Sequence, residues 1–301
     1  MLNYKFTGFA DEAGTDIETQ IRVTKALGWD YIESRNINGK NIHDISDEEF
    51  LHVKDCLEES GVKINCFGSE IANWSRDVRK QVDIDKNIEQ LSRAITRMKQ
   101  LNCQYLRGMS FTILLDQQPD TKEIRDLVIK NLSTLVKMCE DNGIMYLHEN
   151  CMNFGGLSPD HTLFLLEQID SPAFKLIFDT GNPVNSWDYR EYPPTKKQDS
   201  WEFYQKVKKY IHYVHIKDCI FQKDTGALFP DTKHVWAGEG NGSVRRIVKD
   251  LLDNNYGGFF SIEPHMETVY HDIQQVENED AKFSTYLEYG KRFMKMMEEL
   301  S

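Results

Sequence analysis

No stretch of this chain approaches the roughly 18–20 consecutive apolar residues that a membrane-spanning helix needs, so none is expected. The opening MLNYKFTGFADEAG lacks a charged segment followed by an apolar one, which argues against a secretory leader. Cysteine pairing is also missing: Cys56, Cys66, Cys103, Cys139, Cys151 and Cys219 are scattered, with no C-x-x-C pair. In a chain of this size that pattern reads as reduced thiols in a cytoplasmic protein. Positive charge is short, with 36 Lys and Arg against 48 Asp and Glu, a net charge of -12 and no basic cluster. Such a surface repels phosphate backbones and argues against nucleic acid as a partner. A glycine-rich phosphate loop is absent too, because the first apolar run leads into Asp11-Glu12-Ala13-Gly14.

What is present is an alternation of short apolar runs with longer helical patterns. The runs are Lys5–Ala10, Tyr31–Glu33, Val62–Phe67, Cys103–Arg107, Ile144–Leu147, Phe174–Phe178, Tyr210–Ile216 and Phe259–Ile262. Helices are expected over about 16–27, from Ser46 to Gly61, and over 83–101, 121–142, 158 onward, 200–209, 243–254 and 279–299. Several carry end signals. Ser46 with Glu49 forms a capping-box pattern, Pro159 follows Ser158 at a first helical position, and Gly28, Gly61 and Gly143 stand at stops. Eight such units in 301 residues predict an α/β fold, a (β/α)8 TIM barrel forming a single domain over residues 1–301. An open doubly wound sheet would call for the phosphate loop that is missing.

Active sites of these barrels lie at the C-terminal ends of the strands. The fifth run ends in His148-Glu149-Asn150, the sixth in Asp179-Thr180-Gly181-Asn182, the seventh in His215 followed by Lys217-Asp218, and the eighth in Glu263-Pro264-His265. Four successive strands thus bring Glu149, Asp179, His215 and Glu263 to one rim. Taken singly, each could be a polar strand end facing water. Taken together, three carboxylates need a cation among them, and one imidazole with three carboxylates suits a divalent metal ion. Mn2+ fits best, with Co2+, Mg2+ and Zn2+ as rivals.

The chain resembles the sugar phosphate isomerase/epimerase family of the xylose isomerase-like TIM barrel superfamily. The likeness is carried by FDTGN at 178–182, HIKD at 215–218, GEG at 238–240 and SIEP at 261–264, and it covers essentially the whole length. It implies one divalent metal held by Glu149, Asp179, His215 and Glu263, with Glu149 and Glu263 as a catalytic acid–base pair. The implied reaction is isomerisation or epimerisation of a small sugar or sugar derivative through a metal-stabilised enediolate. One departure stands out: many epimerases of this superfamily carry His three residues after the sixth-strand Asp, where this chain has Asn182. That opens the alternative of a lyase or dehydratase acting on a keto-sugar or keto-inositol. A DNA-repair endonuclease would require a trinuclear zinc cluster and a basic face, and neither pattern is present. A non-catalytic sugar-binding barrel, or a subunit of a larger complex, is the remaining alternative.

Candidate substrate contacts are His148, Asn182, Lys217, Glu239 and Arg107. His148 precedes a ligand on its strand, so strict alternation would turn it outward. Lys217 could meet a substrate oxygen, and Glu239 sits between two glycines in a loop. Arg35, Glu70, Trp74 and His265 are further pocket candidates, whereas His212 is expected to pack away from the site. Cys151 and Cys219 lie near the site but are not expected to act as nucleophiles. Long segments at 183–197 and 219–237 carry aromatics that could cover a sugar or bury against a second subunit; a homo-oligomer is left open, and no interface is legible.

Overall fold

The computed structural model describes residues 4–224, 229–267 and 278–301. Eight parallel strands form one sheet: β1 (Lys5–Gly8), β2 (Tyr31–Ser34), β3 (Lys63–Gly68), β4 (Tyr105–Gly108), β5 (Met145–Glu149), β6 (Phe174–Asp179), β7 (Ile211–Ile216) and β8 (Phe259–Ile262). Hydrogen bonding runs from β1 through β8, β7, β6, β5, β4 and β3 to β2. A parallel bridge between Phe9 and Glu33 joins the two ends, so the sheet closes on itself as a TIM barrel. The helices are α1 (Ile17–Ala26), α2 (Asp47–Ser60), α3 (Gln81–Gln100), α4 (Lys122–Glu140), α5 (Pro159–Gln168), α6 (Ser200–Val207), α7 (Val244–Asp253) and α8 (Glu279–Leu300). Among the described residues, no helix is long and apolar enough to cross a membrane.

Local chemistry explains where these elements begin and end. The Ser46 hydroxyl accepts from Glu49 N while the Glu49 carboxylate accepts from Ser46 N, completing the capping box of α2. Gly61 then closes the helix at φ 75°, a left-handed conformation that costs glycine nothing. On α3 the spacing of Ile84, Leu91, Ile95 and Met98 places all four against the sheet, and each is buried. Burying one such side chain stabilises the fold by about 1.5–3 kcal/mol.

The core has two parts. A large outer layer lies between sheet and helices, and a small cluster of Cys66, Leu147, Ile177, Tyr213 and Phe259 fills the lower barrel. Side chains alternate along a strand, so residues two further on from this inner cluster point inward one level higher. Leu147 leads to Glu149, Ile177 to Asp179, Tyr213 to His215, and Phe259 through Ser261 to Glu263. The apolar plug therefore sets the height of a polar floor.

Part of one expected loop is a hairpin. Residues Cys219–Lys223 pair antiparallel with Asp231–His234, a hairpin reached because Cys219-Ile220-Phe221 suits a strand; residues 225–228 of that segment lie outside the described set. A second small hairpin, Asn36–Ile37 with Lys40–Asn41, turns through Asn38 and Gly39, both at positive φ.

Candidate metal and catalytic site

Glu149, Asp179, His215 and Glu263 converge as buried residues at the top of the barrel, and one ligand atom from each lies within 4.8 Å of the others. His215 organises the group. Its Nε2–H donates to the Glu33 carboxylate at 3.0 and 3.2 Å, so Nδ1 faces Glu149 Oε1 at 3.3 Å, Glu263 Oε2 at 3.5 Å and Asp179 Oδ2 at 4.0 Å. Glu33 is itself held by Tyr213 OH at 2.9 Å and Ser261 Oγ at 2.6 Å. A carboxylate behind a histidine in this way fixes which ring nitrogen is offered to a metal.

The turn after β6 orients Asp179. Its Oδ1 accepts from the backbone N–H groups of Gly181 at 2.8 Å and Asn182 at 2.6 Å. Its Oδ2 is buried and accepts no hydrogen bond, with the Lys217 ammonium 3.1 Å away. One oxygen is thus consumed by the fold and the other is left toward the cluster. An orphaned carboxylate oxygen beside an imidazole nitrogen and two more carboxylates fits a divalent cation.

Cations crowd the same acids. Glu263 meets Lys217 Nζ at 3.0 Å, His265 Nε2 at 3.1 Å and Arg35 Nη1 at 3.2 Å. Glu149 meets Arg107 Nη1 at 3.3 Å and accepts from Asn182 Nδ2 at 3.2 Å. Burial alone would raise Glu149, but Arg107 and His215 outweigh it and hold it at about 2. Burial likewise opposes ionisation of Glu263, yet Lys217 and His265 keep it well below the usual carboxylate range. Burial pushes Asp179 up to about 7 against the opposing pull of the Lys217 ammonium, and the Glu263 and Glu149 charges add to the rise. His215 is desolvated, but Glu33, Glu149 and Glu263 hold its proton far above the ordinary histidine range. Without a metal, the acids are compensated by protons and by Lys217.

Above this floor opens a cavity of about 430 Å3. Arg107, Glu149, Asn182, Lys217 and Glu263 line it, as do Glu70 and Trp74 on one wall. The hairpin after β7 supplies the opposite wall through Phe229, Pro230 and Thr232. Arg35 and His265 also reach the cavity, each engaged with acids from the turn after β1. Arg35 grips Asp11 at 3.0 Å and Glu12 at 3.2 Å, and His265 Nδ1 lies 3.0 Å from Glu12.

Two predicted substrate contacts fall elsewhere. His148 alternates outward, is fully buried, and meets Ser110 Oγ at 3.0 Å and Asn153 Oδ1 at 3.2 Å behind the barrel wall. Burial lowers it to about 4, so it is neutral and structural. Glu239 points to solvent, with Arg292 3.7 Å away. The meaning of the GEG run lies in its backbone: Asp218 accepts from Gly238 N at 2.9 Å, Gly240 N at 2.9 Å and Gly242 N at 2.8 Å. A Cβ on Gly240 would stand 2.3 Å from Asp218 Oδ1, so the loop closes over the aspartate only as glycine.

Other expectations sort similarly. Cys151 lines the cavity, but burial drives its thiol pKa upward; burial pushes Cys219 up to about 12. Neither is a ready nucleophile. Trp187, Tyr189 and Tyr192 do not line the cavity; among the described residues Phe229 and Trp74 are the Phe, Tyr or Trp side chains that do. His212 lies low in the barrel, 3.3 Å from Tyr105 OH, where a register shift between Leu176 and Ile177 skips it in the pairing of β6 with β7.

Arg35 is among the pocket candidates of the sequence, but Glu33 and the Asp11 and Glu12 carboxylates that grip Arg35 are not. A charged residue inside the short apolar run Tyr31-Ile32-Glu33 was the available signal, since an inward acid in a barrel needs a partner.

Comparison with known proteins bears on the fold. A family model described as xylose isomerase-like TIM barrel matches residues 21–287. Inosose dehydratase from Clostridium botulinum (strain Alaska E43 / Type E3) is 28% identical over 154 residues, 47% of this chain and 47% of that protein. The chain matches about half the length of its curated relatives, 44% and 47%. D-allulose 3-epimerase from Methylomonas sp., solved with D-allulose, superposes with a TM-score of 0.68 at 18% identity over 96% of both chains. A xylose isomerase-like TIM barrel protein from Mycobacterium smegmatis, solved with magnesium, gives 0.66 at 18% identity over 98% of this chain and 97% of that one. At those identities the likeness is one of fold. By its barrel and its family match, the chain belongs to the xylose isomerase-like TIM barrel family.

Proposed function

We propose that residues 1–301 act as one metal-dependent catalytic domain that moves a proton next to the carbonyl of a sugar or sugar derivative, as an isomerase or epimerase. The observation that carries this reading is the convergence of Glu149, Asp179, His215 and Glu263, with Asp179 Oδ2 left without a hydrogen bond. These four would hold one divalent ion, with Mn2+ best suited to a one-nitrogen, three-oxygen set and Co2+, Mg2+ and Zn2+ as alternatives. Such an ion supplies Lewis-acid polarisation of a carbonyl and its neighbouring hydroxyl.

The protein's own groups do the rest. Glu149 and Glu263 approach the cavity from different strands, so one can remove the α-proton while the other returns a proton to the opposite face. Arg107, Lys217 and Asn182 border the same space and are placed to hold substrate oxygens as charge grows on an enediolate. Phe229 and Trp74 would shield the reacting carbons from water. The partner would be a small sugar or sugar derivative in a cytoplasmic setting, rather than nucleic acid or membrane.

A second reading, elimination of water from a keto-sugar or keto-inositol, draws on two observations. Lys217, His265 and Arg35 hold Glu263, whereas Arg107 alone joins the shared His215 at Glu149, so the two glutamates are not equivalent as face-to-face exchange favours. Asn182 also offers no proton at neutral pH. The partial likeness to an inosose dehydratase points the same way.

The first test is elemental analysis of the wild type beside Glu149→Gln and Asp179→Asn. After reconstitution with Mn2+, near-stoichiometric manganese in the wild type, lost in both variants, is the expected result. A wild type that binds no divalent ion after reconstitution overturns the proposal. Incubation of the loaded protein with free ketoses and keto-inositols then separates the readings: a stereoisomer marks epimerisation, and loss of water marks the lyase.

A further inference from the structure

A second cluster of metal-ligating side chains lies on the outside of the barrel, on α1 and α2. His52 and Cys56 are four residues apart on α2, so they share one helical face, and Glu18 faces them from α1. His52 Nε2 is 2.7 Å from Glu18 Oε1 and 3.7 Å from Cys56 Sγ, and Sγ is 3.9 Å from the same Glu18 oxygen. An ion pair between His52 and Glu18 accounts for the first contact but not for the thiol that completes the triangle.

We propose that Glu18, His52 and Cys56 form a surface site for a borderline-soft divalent ion, zinc above all. Zinc bonds of about 2.0–2.2 Å to nitrogen and oxygen and about 2.3 Å to sulfur set tetrahedral ligand atoms roughly 3.3–3.6 Å apart. The sulfur edges of the triangle need to close by only a few tenths of an ångström, and the nitrogen–oxygen edge opens by roughly half an ångström. The one-thiolate, one-imidazole, one-carboxylate set favours zinc or cobalt over magnesium or calcium. The fourth tetrahedral position faces solvent. Burial and the Glu18, Glu59 and Asp55 carboxylates raise the Cys56 thiol above its usual value, so the same negative surroundings that quiet the free thiol favour a cation. A bound ion would brace the first two helices, well apart from the barrel-top cluster.

Cys56 is the one cysteine that is not buried, so it reports the site directly. The chelator-stripped wild type is treated with an aromatic disulfide reagent, with and without zinc chloride. Zinc should slow labelling of Cys56 at least about tenfold, because a metal-bound thiolate is withdrawn from attack. His52→Ala, on an exposed position, should label at the same rate with or without zinc. Asp179→Asn should keep the protection, which separates this site from the barrel-top site. As a second measurement, cobalt(II) should give a thiolate-to-cobalt charge-transfer band in the wild type and none in Cys56→Ser. Unchanged wild-type labelling with zinc, equal protection of His52→Ala, or no such band in the wild type would overturn the proposal.

Discussion

Glu33 does not line the cavity, yet it governs the imidazole that faces the three carboxylates. By accepting from Nε2–H it leaves Nδ1 of His215 toward the three carboxylates. Glu33→Gln keeps the size but removes the charge and offers a competing donor, so divalent-metal affinity should fall about 10–100-fold. Calorimetric titration with Mn2+ checks this, and an unchanged affinity would count against the role. His148, by contrast, is a matter of stability. Its folded value of about 4 lies below the unfolded one, so between roughly pH 6.5 and 4 the unfolded chain takes up a proton that the fold refuses. Stability is therefore lost as pH falls through that window, by on the order of 3 kcal/mol from this group. Denaturant melts across the window should show a shallower pH slope in His148→Gln than in the wild type.

At the scale of elements, period and caps carried the reading. Strands and helices stand within a few residues of their expected ends because apolar spacing, the Ser46–Glu49 box and the glycine stops act locally. Pairs of elements are harder to read. The GEG run points to Glu239, whereas in the structure its glycines, with Gly242, offer amides to Asp218, which lies 20 to 24 residues earlier. Gly240→Ala should cost about 1–3 kcal/mol, since the added methyl meets both Asp218 Oδ1 and the Cys219 carbonyl. A urea midpoint equal to that of the wild type would show that the loop relaxes freely. The hairpin that walls the cavity is likewise hard to read, because strand pairing across a turn leaves only a weak mark on so short a segment.

At the scale of the molecule, charge decides. Asp11, Glu12, Glu33, Glu149, Asp179 and Glu263 are buried together, with Arg35, Arg107 and Lys217 as permanent cations among them. His215, and His265 at about 9, supply further positive charge only by holding protons, and Asp179 at about 7 carries part of the remainder. A divalent ion would displace some of that proton load. Binding should therefore release protons and tighten from pH 6 to pH 8, as Asp179 and then the imidazole lose competition from hydrogen ions. At an ion concentration about 100 times Kd, stability should rise by about 2.7 kcal/mol. Urea melts with Mn2+ and with a chelator measure the gain, and equal midpoints would contradict the site.

By itself the sequence determined the order of strands and helices, hence the barrel, and the placing of Glu149, Asp179, His215 and Glu263 at successive strand ends. These follow from periods of two and of about 3.6 and from residues a few positions apart, which are written along the chain. Only the tertiary structure decided that Glu33 backs His215, that Lys217 and Arg35 grip Glu263, that His148 turns behind the wall, and that Asp218 gathers the glycine loop. Each of those is a contact between residues up to 228 positions apart, as Arg35 and Glu263 are. The contacts of Arg35 with Glu263 and of Glu33 with His215 exist because closing the barrel sets β1 between β8 and β2, and no local pattern records that closure.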